Sequence, residues 1–253
     1  MHSSEFAPGQ RRPGIRDAEY RYPPSKNPYA SKLETLGKRV YWDNETEAFA
    51  GRWREQMLDT PAGSPSSRRK LHVEIGCNGG HVSLEWAARD PKTAFIGIDW
   101  KFKQIFRGAE KSAKREINNL LFLRANAERL KYQFAPGEID RLCLYFPDPW
   151  PKKGQQKNRF IQEFRLREVH PLLTPKTGRF HIKTDHAGYF EWMVQEIEKV
   201  KDLFRVVSLT RDLHAGHPNP RGLEIPDVTL FEKLFIKDGL PIHSVELEPI
   251  SHS

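Results

Sequence analysis

A glycine cluster near residue 75 separates an apolar run from an amphipathic one. The segment Val73–Gly80 reads VEIGCNGG. Glycines at the start of a helix let backbone amides approach a ligand closely, and doubly wound sheets bind nucleotides at this place. Asp99 ends the next apolar run, at about the separation where such folds hold a ribose diol with one carboxylate. The pair predicts a nucleotide-type ligand; the alternative is a tight turn beside a surface acid.

Glu74, just before the glycines, bears on the kind of nucleotide. A carboxylate there would repel a phosphate but attract an amino-acid ammonium or a sulfonium. This favours S-adenosylmethionine over NAD as the cofactor. The alternative is a buried structural acid paired with a distant lysine.

The segment Tyr145–Lys153, YFPDPWPKK, is the most specific constellation in the chain. Two prolines flank Asp148 and fix the backbone on both sides, so the carboxylate is held in place. Trp150 offers a flat apolar face for a base, and Lys152 and Lys153 offer charge to a phosphate. Because the motif follows a predicted strand, its carboxylate should face the cofactor crevice. The alternative is a rigid proline-rich turn.

The elements that must position these residues alternate between short apolar runs and longer amphipathic ones from Leu71 onward. This pattern predicts an α/β fold with a mostly parallel, Rossmann-like sheet. Three later runs, FRVVSLT, TLFEKLFI and HSVELE, have strand composition without helices between them, which predicts antiparallel edge strands. The parallel strand candidates are LHVEIG, AFIGID, NLLFLRA, IDRLCLYF and GRFHIKT, and the helix candidates are His81–Arg89, Phe102–Asn118, Asn158–His170 and Ala187–Val200.

Three parts follow from the distribution of prolines, charges and apolar residues. Residues 1–30 are rich in proline and arginine without apolar periodicity, which predicts a mobile basic arm. Residues 31–67 are predicted to hold a helix around Glu45–Leu58 and a breaker-rich linker. Residues 68–253 are predicted to form the Rossmann-like domain. The polar connection Arg211–Asp227 is long enough to suggest a functional loop.

Composition narrows the classes of function. The 253 residues are 38% hydrophobic and 29% charged, and no apolar run approaches the roughly 20 residues of a membrane span. With no secretory signal, we expect a cytoplasmic protein, and a monomer is favoured. The net charge of +8 favours a polyanionic partner. Two cysteines, Cys77 and Cys143, are too few for a disulfide framework or a cysteine-based zinc site, and no metal is predicted.

The motifs EIGCNGG, GIDW, FPDPWPKK, KTDH and TLFEKLF together resemble the bacterial tRNA (guanine-N7-)-methyltransferase family, from about Leu36 to Leu247. The resemblance implies a class I methyltransferase fold, S-adenosylmethionine as cofactor, tRNA as partner, and methylation of guanine N7 at position 46 of the variable loop. The cofactor residues that it implies are Glu74, Gly76, Asp99, Asn126 and Asp148, with Asp148 also catalytic. It further implies substrate contacts from Lys152, Asp185, Thr229 and Glu232, and RNA contacts from Lys153, Lys157 and Arg159.

Three departures from the family pattern accompany the matches. Asn78 stands where the family usually has glycine, Asn126 where it usually has aspartate, and Gly154–Arg159 reads GQQKNR instead of a cationic stretch. Asparagine can adopt a positive φ, and an amide can bond to an adenine edge, so we expect cofactor binding to persist. The smaller number of cations in this stretch is expected to weaken RNA binding, because RNA binding depends on phosphate contacts. The alternatives are a methyltransferase for another RNA or base, and a non-catalytic RNA-binding protein.

Guanine N7 carries a lone pair and no proton, so it can attack a sulfonium methyl without a base. Asp148 is therefore predicted to orient the purine and to stabilise its developing positive charge. Thr229–Glu232 and Asp185 are predicted to read the guanine, with the Glu232 carboxylate accepting from its N1–H and amino group. The alternative for this segment is an ordinary edge strand.

Overall fold

The computed structural model of the chain describes residues 12–60, 69–215 and 228–251. In these ranges one sheet contains eight strands: β1 (Val40–Trp42), β2 (Leu71–Ile75), β3 (Ala94–Asp99), β4 (Leu120–Arg124), β5 (Arg141–Tyr145), β6 (Arg179–Thr184), β7 (Phe204–Thr210) and β8 (His243–Pro249). Their order is β1-β4-β3-β2-β5-β6-β8-β7. The first six are parallel, and β8 pairs antiparallel with both β6 and β7. The predicted mostly parallel sheet with antiparallel edge strands is confirmed.

Helices accompany the strands in the described ranges: α1 (Ala30–Glu34), α2 (His81–Arg89), α3 (Phe102–Lys114), α4 (Leu130–Gln133), α5 (Glu163–Val169), α6 (Ala187–Glu198) and α7 (Leu230–Lys237). The predicted bounds of α2 are confirmed. The predicted start of α5 at Asn158 is wrong, because Lys153–Asn158 forms a 3-10 turn and the helix begins five residues later. No helix in the described part of the chain is long and apolar enough to cross a membrane.

The central parallel strands of the sheet are buried on both faces, whereas the edge strand β7 is largely exposed. In β4, Leu121 and Leu123 belong to one apolar cluster, and Leu120 and Phe122 belong to another on the opposite face. All four are fully buried. Strands covered on both faces show continuous apolar runs instead of alternation, which explains why these strands were recognisable from sequence.

The helix predicted around Glu45–Leu58 is wrong. The chain forms two short 3-10 turns there, Asp43–Glu47 and Trp53–Gln56. Gly51, with φ of 81°, separates them, and the Glu138 carboxylate accepts from the amides of Gly51 at 2.7 Å and Trp53 at 3.2 Å. A distant carboxylate therefore takes amides that a helix would bond internally.

The strand predicted for TLFEKLFI is also wrong, because this segment forms α7. Thr229 Oγ1 accepts from the Glu232 amide at 2.9 Å, and the Glu232 carboxylate accepts from the Thr229 amide at 3.2 Å. This reciprocal capping box stabilises a helix start, and its T-x-x-E signature is present in the sequence. Residues 216–227, most of the predicted functional loop, lie outside the described ranges.

Candidate active site

A crevice opens at the carboxyl ends of β2, β3 and β5, where a doubly wound sheet binds its ligands. It contains two adjoining cavities of about 320 and 390 Å³. Volumes of this order suit a small-molecule cofactor. Both walls share Ile75, Gly76, Asp99, Trp100, Pro147 and Asp148.

The loop after β2 approaches the cavities through backbone that ordinary side chains rarely allow. Gly76 has φ of 74°, and a Cβ built there would meet no atom within 4 Å, so this position opens onto both cavities. A Cβ on Gly80 would lie 2.6 Å from the Phe122 ring, which makes glycine necessary at the start of α2. Asn78 has φ of 52°, as expected for an asparagine that replaces glycine.

Glu74 lies in the wall of the smaller cavity and is only 5% exposed. Its carboxylate accepts from the Ser83 amide at 3.2 Å, in the first turn of α2, and from the Ser83 hydroxyl. Burial raises the pKa of Glu74 to about 7, although the Ser83 bonds oppose this shift. None of the groups that shift this pKa is a lysine or arginine. Among the described residues, then, this acid has no cation that compensates its charge, which suits a cationic ligand.

Asp99 separates the two cavities and is held at both oxygens. Its Oδ2 accepts from the Asn78 amide at 3.0 Å, and its Oδ1 accepts from the Lys101 amide at 2.8 Å. Trp100 beside it is 63% exposed and lines both cavities. Sequence reasoning missed Trp100, although the GIDW motif places its indole next to Asp99, the carboxylate predicted to bind the ribose.

Asn126 lies in the wall of the larger cavity. Its Oδ1 accepts from the Glu128 amide at 2.8 Å and caps a 3-10 turn. Its backbone N–H donates to the Tyr22 hydroxyl at 2.9 Å. Arg16 reaches the same wall and pairs with Glu128 at 2.8 Å. Arg16 and Tyr22 of the predicted arm thus reach the wall of this cavity and its residue Asn126, a relation that no local sequence signal indicated.

Asp148 is exposed and lies in the walls of both cavities. Phe146 has φ of 53° and Trp150 has φ of 42°, so non-glycine residues on both sides of it adopt the left-handed region. Such backbone costs roughly 1–3 kcal/mol per residue and tends to occur at functional sites. The Phe146 amide donates to the Lys183 carbonyl at 2.8 Å, which ties this bend to β6.

The predicted RNA-contacting residues differ in exposure. Lys152, Lys153 and Lys157 are exposed. Arg159 is only 5% exposed; its Nε donates to the Pro149 carbonyl at 2.9 Å, and its guanidinium stacks within about 5 Å of the rings of Tyr189 and Trp192. Arg159 therefore supports the proline-rich loop, and its guanidinium offers little surface to a phosphate.

The predicted guanine-reading segment is placed differently from the expectation. Leu230 and Phe231, each about half exposed, line the smaller cavity together with Thr229. Glu232 is fully buried and takes no part in either wall. Asp185 follows β6 and is half-buried, but it is also absent from both walls. Within the described ranges, no three His, Cys, Asp or Glu residues form a metal-binding group.

Comparisons with known proteins identify the family of this chain. A family model described as Putative methyltransferase matches residues 68–244. The tRNA (guanine-N(7)-)-methyltransferase of Bacillus licheniformis is 32% identical over 81% of this chain and 89% of its own length. That of Bdellovibrio bacteriovorus is 30% identical over 79% of this chain and 90% of its own length. The chain is thus a member of a methyltransferase family. More narrowly, it belongs to the tRNA (guanine-N(7)-)-methyltransferase family.

Other matches agree at the level of fold. A bifunctional glycosyltransferase/methyltransferase of Fusobacterium nucleatum is 33% identical over 88% of this chain, which spans only 33% of that protein. The crystal structure of a 16S rRNA methyltransferase superposes with a TM-score of 0.53 at 17% identity, covering 74% of this chain and 90% of the other. An antibiotic-related methyltransferase gives 0.51 at 19% identity, covering 71% and 86%. The fold is that of class I methyltransferases.

Proposed function

We propose that this protein transfers the methyl group of S-adenosylmethionine to N7 of a guanine in tRNA, with the variable-loop guanine at position 46 as the target. The observation that carries the proposal is the convergence of Glu74, Asp99 and Asp148 in one crevice, at the carboxyl ends of three neighbouring strands. Membership of the tRNA (guanine-N(7)-)-methyltransferase family supports the substrate. A tRNA substrate also favours the cytoplasm as the site of action.

The crevice fits the cofactor by charge and by space. Glu74 would accept from the methionine ammonium, since no described lysine or arginine compensates its buried charge. Asp99 would accept from the ribose diol, and Asn126 would bond the adenine edge. A Cβ built on Gly76 would meet no atom within 4 Å, which leaves room for the cofactor between these residues. When bound, the cofactor supplies an electrophilic sulfonium methyl group.

Asp148 would act on the base. The N7 lone pair needs no deprotonation, so a general base is unnecessary. An exposed carboxylate on a bend fixed by two prolines can accept from the guanine edge and stabilise the positive charge that grows on the purine. Holding N7 in line with the transferred methyl would supply further acceleration.

Aromatic side chains beside Asp148 provide a platform for a flipped base. The rings of Phe146 and Phe231 line the smaller cavity, with centroids 6.4 Å apart and planes inclined at 46°. Enzymes that modify a base within a folded nucleic acid extrude it and stack it on aromatic groups. The exposed Lys152, Lys153 and Lys157 would then contact phosphates near the mouth of the cavity.

The test is to incubate the protein with labelled S-adenosylmethionine and unmodified tRNA, then identify the methylated nucleoside by mass spectrometry. We expect 7-methylguanosine at position 46. A tRNA with adenine at that position and the Asp148→Asn variant are matched negative controls. A different methylated nucleoside would favour the alternative of another RNA or base, which the GQQKNR stretch motivates. Calorimetry without any heat of cofactor binding would instead favour a non-catalytic RNA-binding protein.

A further inference from the structure

Lys183 and Glu232 form a buried ion pair between the sheet and α7. Lys183 Nζ lies 3.2 Å from both carboxylate oxygens of Glu232, and the two side chains are 3% and 0% exposed. Removing two charges from water is costly, and their attraction offsets this cost only with good geometry and further hydrogen bonds. Removal of one partner takes the counter-ion of this pair away from the other buried charge. Such a pair is weak evidence for stability, which raises the question of what it positions.

Glu232 joins three separate segments of the chain. Besides Lys183 on β6, its carboxylate contacts His214 Nε2 at 2.7 Å, in the segment after β7. It also accepts from the Thr229 amide and so closes the capping box of α7. No oxygen of this carboxylate is left for a substrate, because the side chain is fully buried.

Lys183 is linked to two parts of the wall of the smaller cavity, to one directly and to the other through Glu232. Its carbonyl accepts from the Phe146 amide at 2.8 Å, and its Nζ lies 4.8 Å from the ring centre of Tyr145. These two residues lead directly into Pro147 and Asp148 on one wall. Through Glu232, Lys183 is also linked to the first turn of α7, where Leu230 and Phe231 line the same cavity.

We propose that Lys183 is a positioning residue that, through Glu232, fixes the first turn of α7 relative to Phe146 and Asp148. This inference rests on the proposed function: the ion pair shapes the part of the crevice that binds the base. Glu232 then acts on the guanine indirectly, by placing Phe231, and it does not read the base. The Thr229–Phe231 turn and the bend at Phe146 are two separate pieces of backbone, and they are linked by the ion pair between Lys183 and Glu232, which lie 49 positions apart in sequence.

A double-mutant cycle tests the inference. Lys183→Met, Glu232→Gln and the double variant are compared for tRNA kinetics and for cofactor affinity. Each single variant should raise KM for tRNA about tenfold, while the Kd for S-adenosylmethionine changes by less than about twofold. The double variant should be about as impaired as the more impaired single variant, because the two residues act as one unit. Lys237→Met, an exposed lysine on the same helix, is the matched control and should behave as wild type.

Hydrogen exchange supplies a readout that does not depend on activity. We expect faster exchange of the α7 amides in Lys183→Met than in Lys237→Met, with β2 and β3 unchanged.

If Glu232 contacts guanine directly, Lys183→Met should keep wild-type KM. Glu232→Gln should then raise KM equally in the wild-type protein and in Lys183→Met. Either result overturns the inference. The double variant lacks both charges of the ion pair, so it can still be measured if a single variant folds poorly. A wild-type KM in the double variant also overturns the inference. Failure of the proposed function would appear differently, as absent N7 methylation by the wild-type protein.

Discussion

The proposed cofactor side and the proposed base side of the crevice are built in different ways. On the cofactor side, Glu74, Gly76 and Asp99 come from adjacent strand ends and the tight loop between β2 and α2. On the base side, Glu232 in the first turn of α7 contacts Lys183 and His214, which are 49 and 18 positions away in sequence. Local motifs therefore specify one half of the site, while tertiary contacts position the other half. Substitutions should accordingly separate cofactor affinity from tRNA kinetics.

The largest expected effect is at Asp148, where the two halves meet. Asp148→Asn preserves the shape but removes the charge that faces the developing cation, and an amide places a donor where an acceptor is needed. Losing such a group typically costs 10²–10³ in rate, so we expect kcat to fall by about that factor. Single-turnover methylation of tRNA measures it. Asp202→Asn, at an exposed acid paired with Arg167, is the control. A wild-type kcat would make Asp148 a structural turn residue.

The next effect belongs to the cofactor half alone. Glu74→Ala and Asp99→Ala each remove a charge-assisted contact worth roughly 1.5–3 kcal/mol, so the Kd for S-adenosylmethionine should rise about tenfold or more. Isothermal calorimetry measures it without tRNA. Glu85→Ala, at an exposed acid on α2 that pairs with Arg115, is the matched control. Unchanged affinity in both variants would refute the proposed cofactor site.

Sequence reasoning succeeded where local pattern determines structure. The five core strands, the start of α2 and the carboxylates at strand ends all follow from apolar runs interrupted by glycine, proline or acid. It failed where a distant group decides the conformation. Glu138 captures the amides of Gly51 and Trp53 and prevents the expected helix. The hydroxyl of Tyr22 reaches Asn126 across 104 positions.

The segment at α7 shows a different kind of failure. Its T-x-x-E signature for a helix start is local and was available in the sequence. Its aromatic and apolar composition, by contrast, favours a strand. The fully buried state of Glu232 could not be predicted, because it depends on Lys183 from another element.

The cofactor half should also respond to pH. Burial raises the pKa of Glu74 from 4.5 to about 7, so near neutral pH part of the free protein holds a proton on this carboxyl. The ammonium of the cofactor needs the carboxylate, so binding should release a proton, and affinity should be about tenfold weaker at pH 6 than at pH 8. Calorimetry in buffers of different ionisation enthalpy measures the release. Glu74→Gln should bind weakly with no such dependence; an unchanged pH profile in this variant would assign the titration elsewhere.

The same carboxyl sets a trend in stability with the opposite sense. Between pH 4.5 and about 7 the folded protein keeps a proton that the unfolded chain has released. The free energy of unfolding of the ligand-free protein should therefore fall as pH rises through this window. Glu74→Gln should lose that part of the dependence, and thermal unfolding at several pH values would show it.

The smallest expected effect concerns the basic arm. Arg12, Arg21 and Lys26 form no ion pair within the described ranges, so their charges are available to RNA. Deleting residues 1–30 would be a poor test, because it would also remove Tyr22 from Asn126 and disturb the cofactor half. Replacing the three cations by glutamine leaves that hydrogen bond in place.

Each phosphate contact removed should flatten the slope of log affinity against log salt concentration by roughly 0.7 to 0.9. In the variant of Arg12, Arg21 and Lys26, tRNA binding should therefore weaken mainly at low salt. Its kcat and its cofactor affinity should stay unchanged. The matched control replaces three exposed lysines, Lys70, Lys92 and Lys176. They lie near the amino ends of β2, β3 and β6, whereas the site lies at the carboxyl ends of the strands. Electrostatic attraction by net charge alone would weaken tRNA binding equally in both triple variants. Phosphate binding by the arm requires the weakening to be confined to the variant of Arg12, Arg21 and Lys26, and an unchanged slope in that variant would remove the arm from the RNA-binding surface.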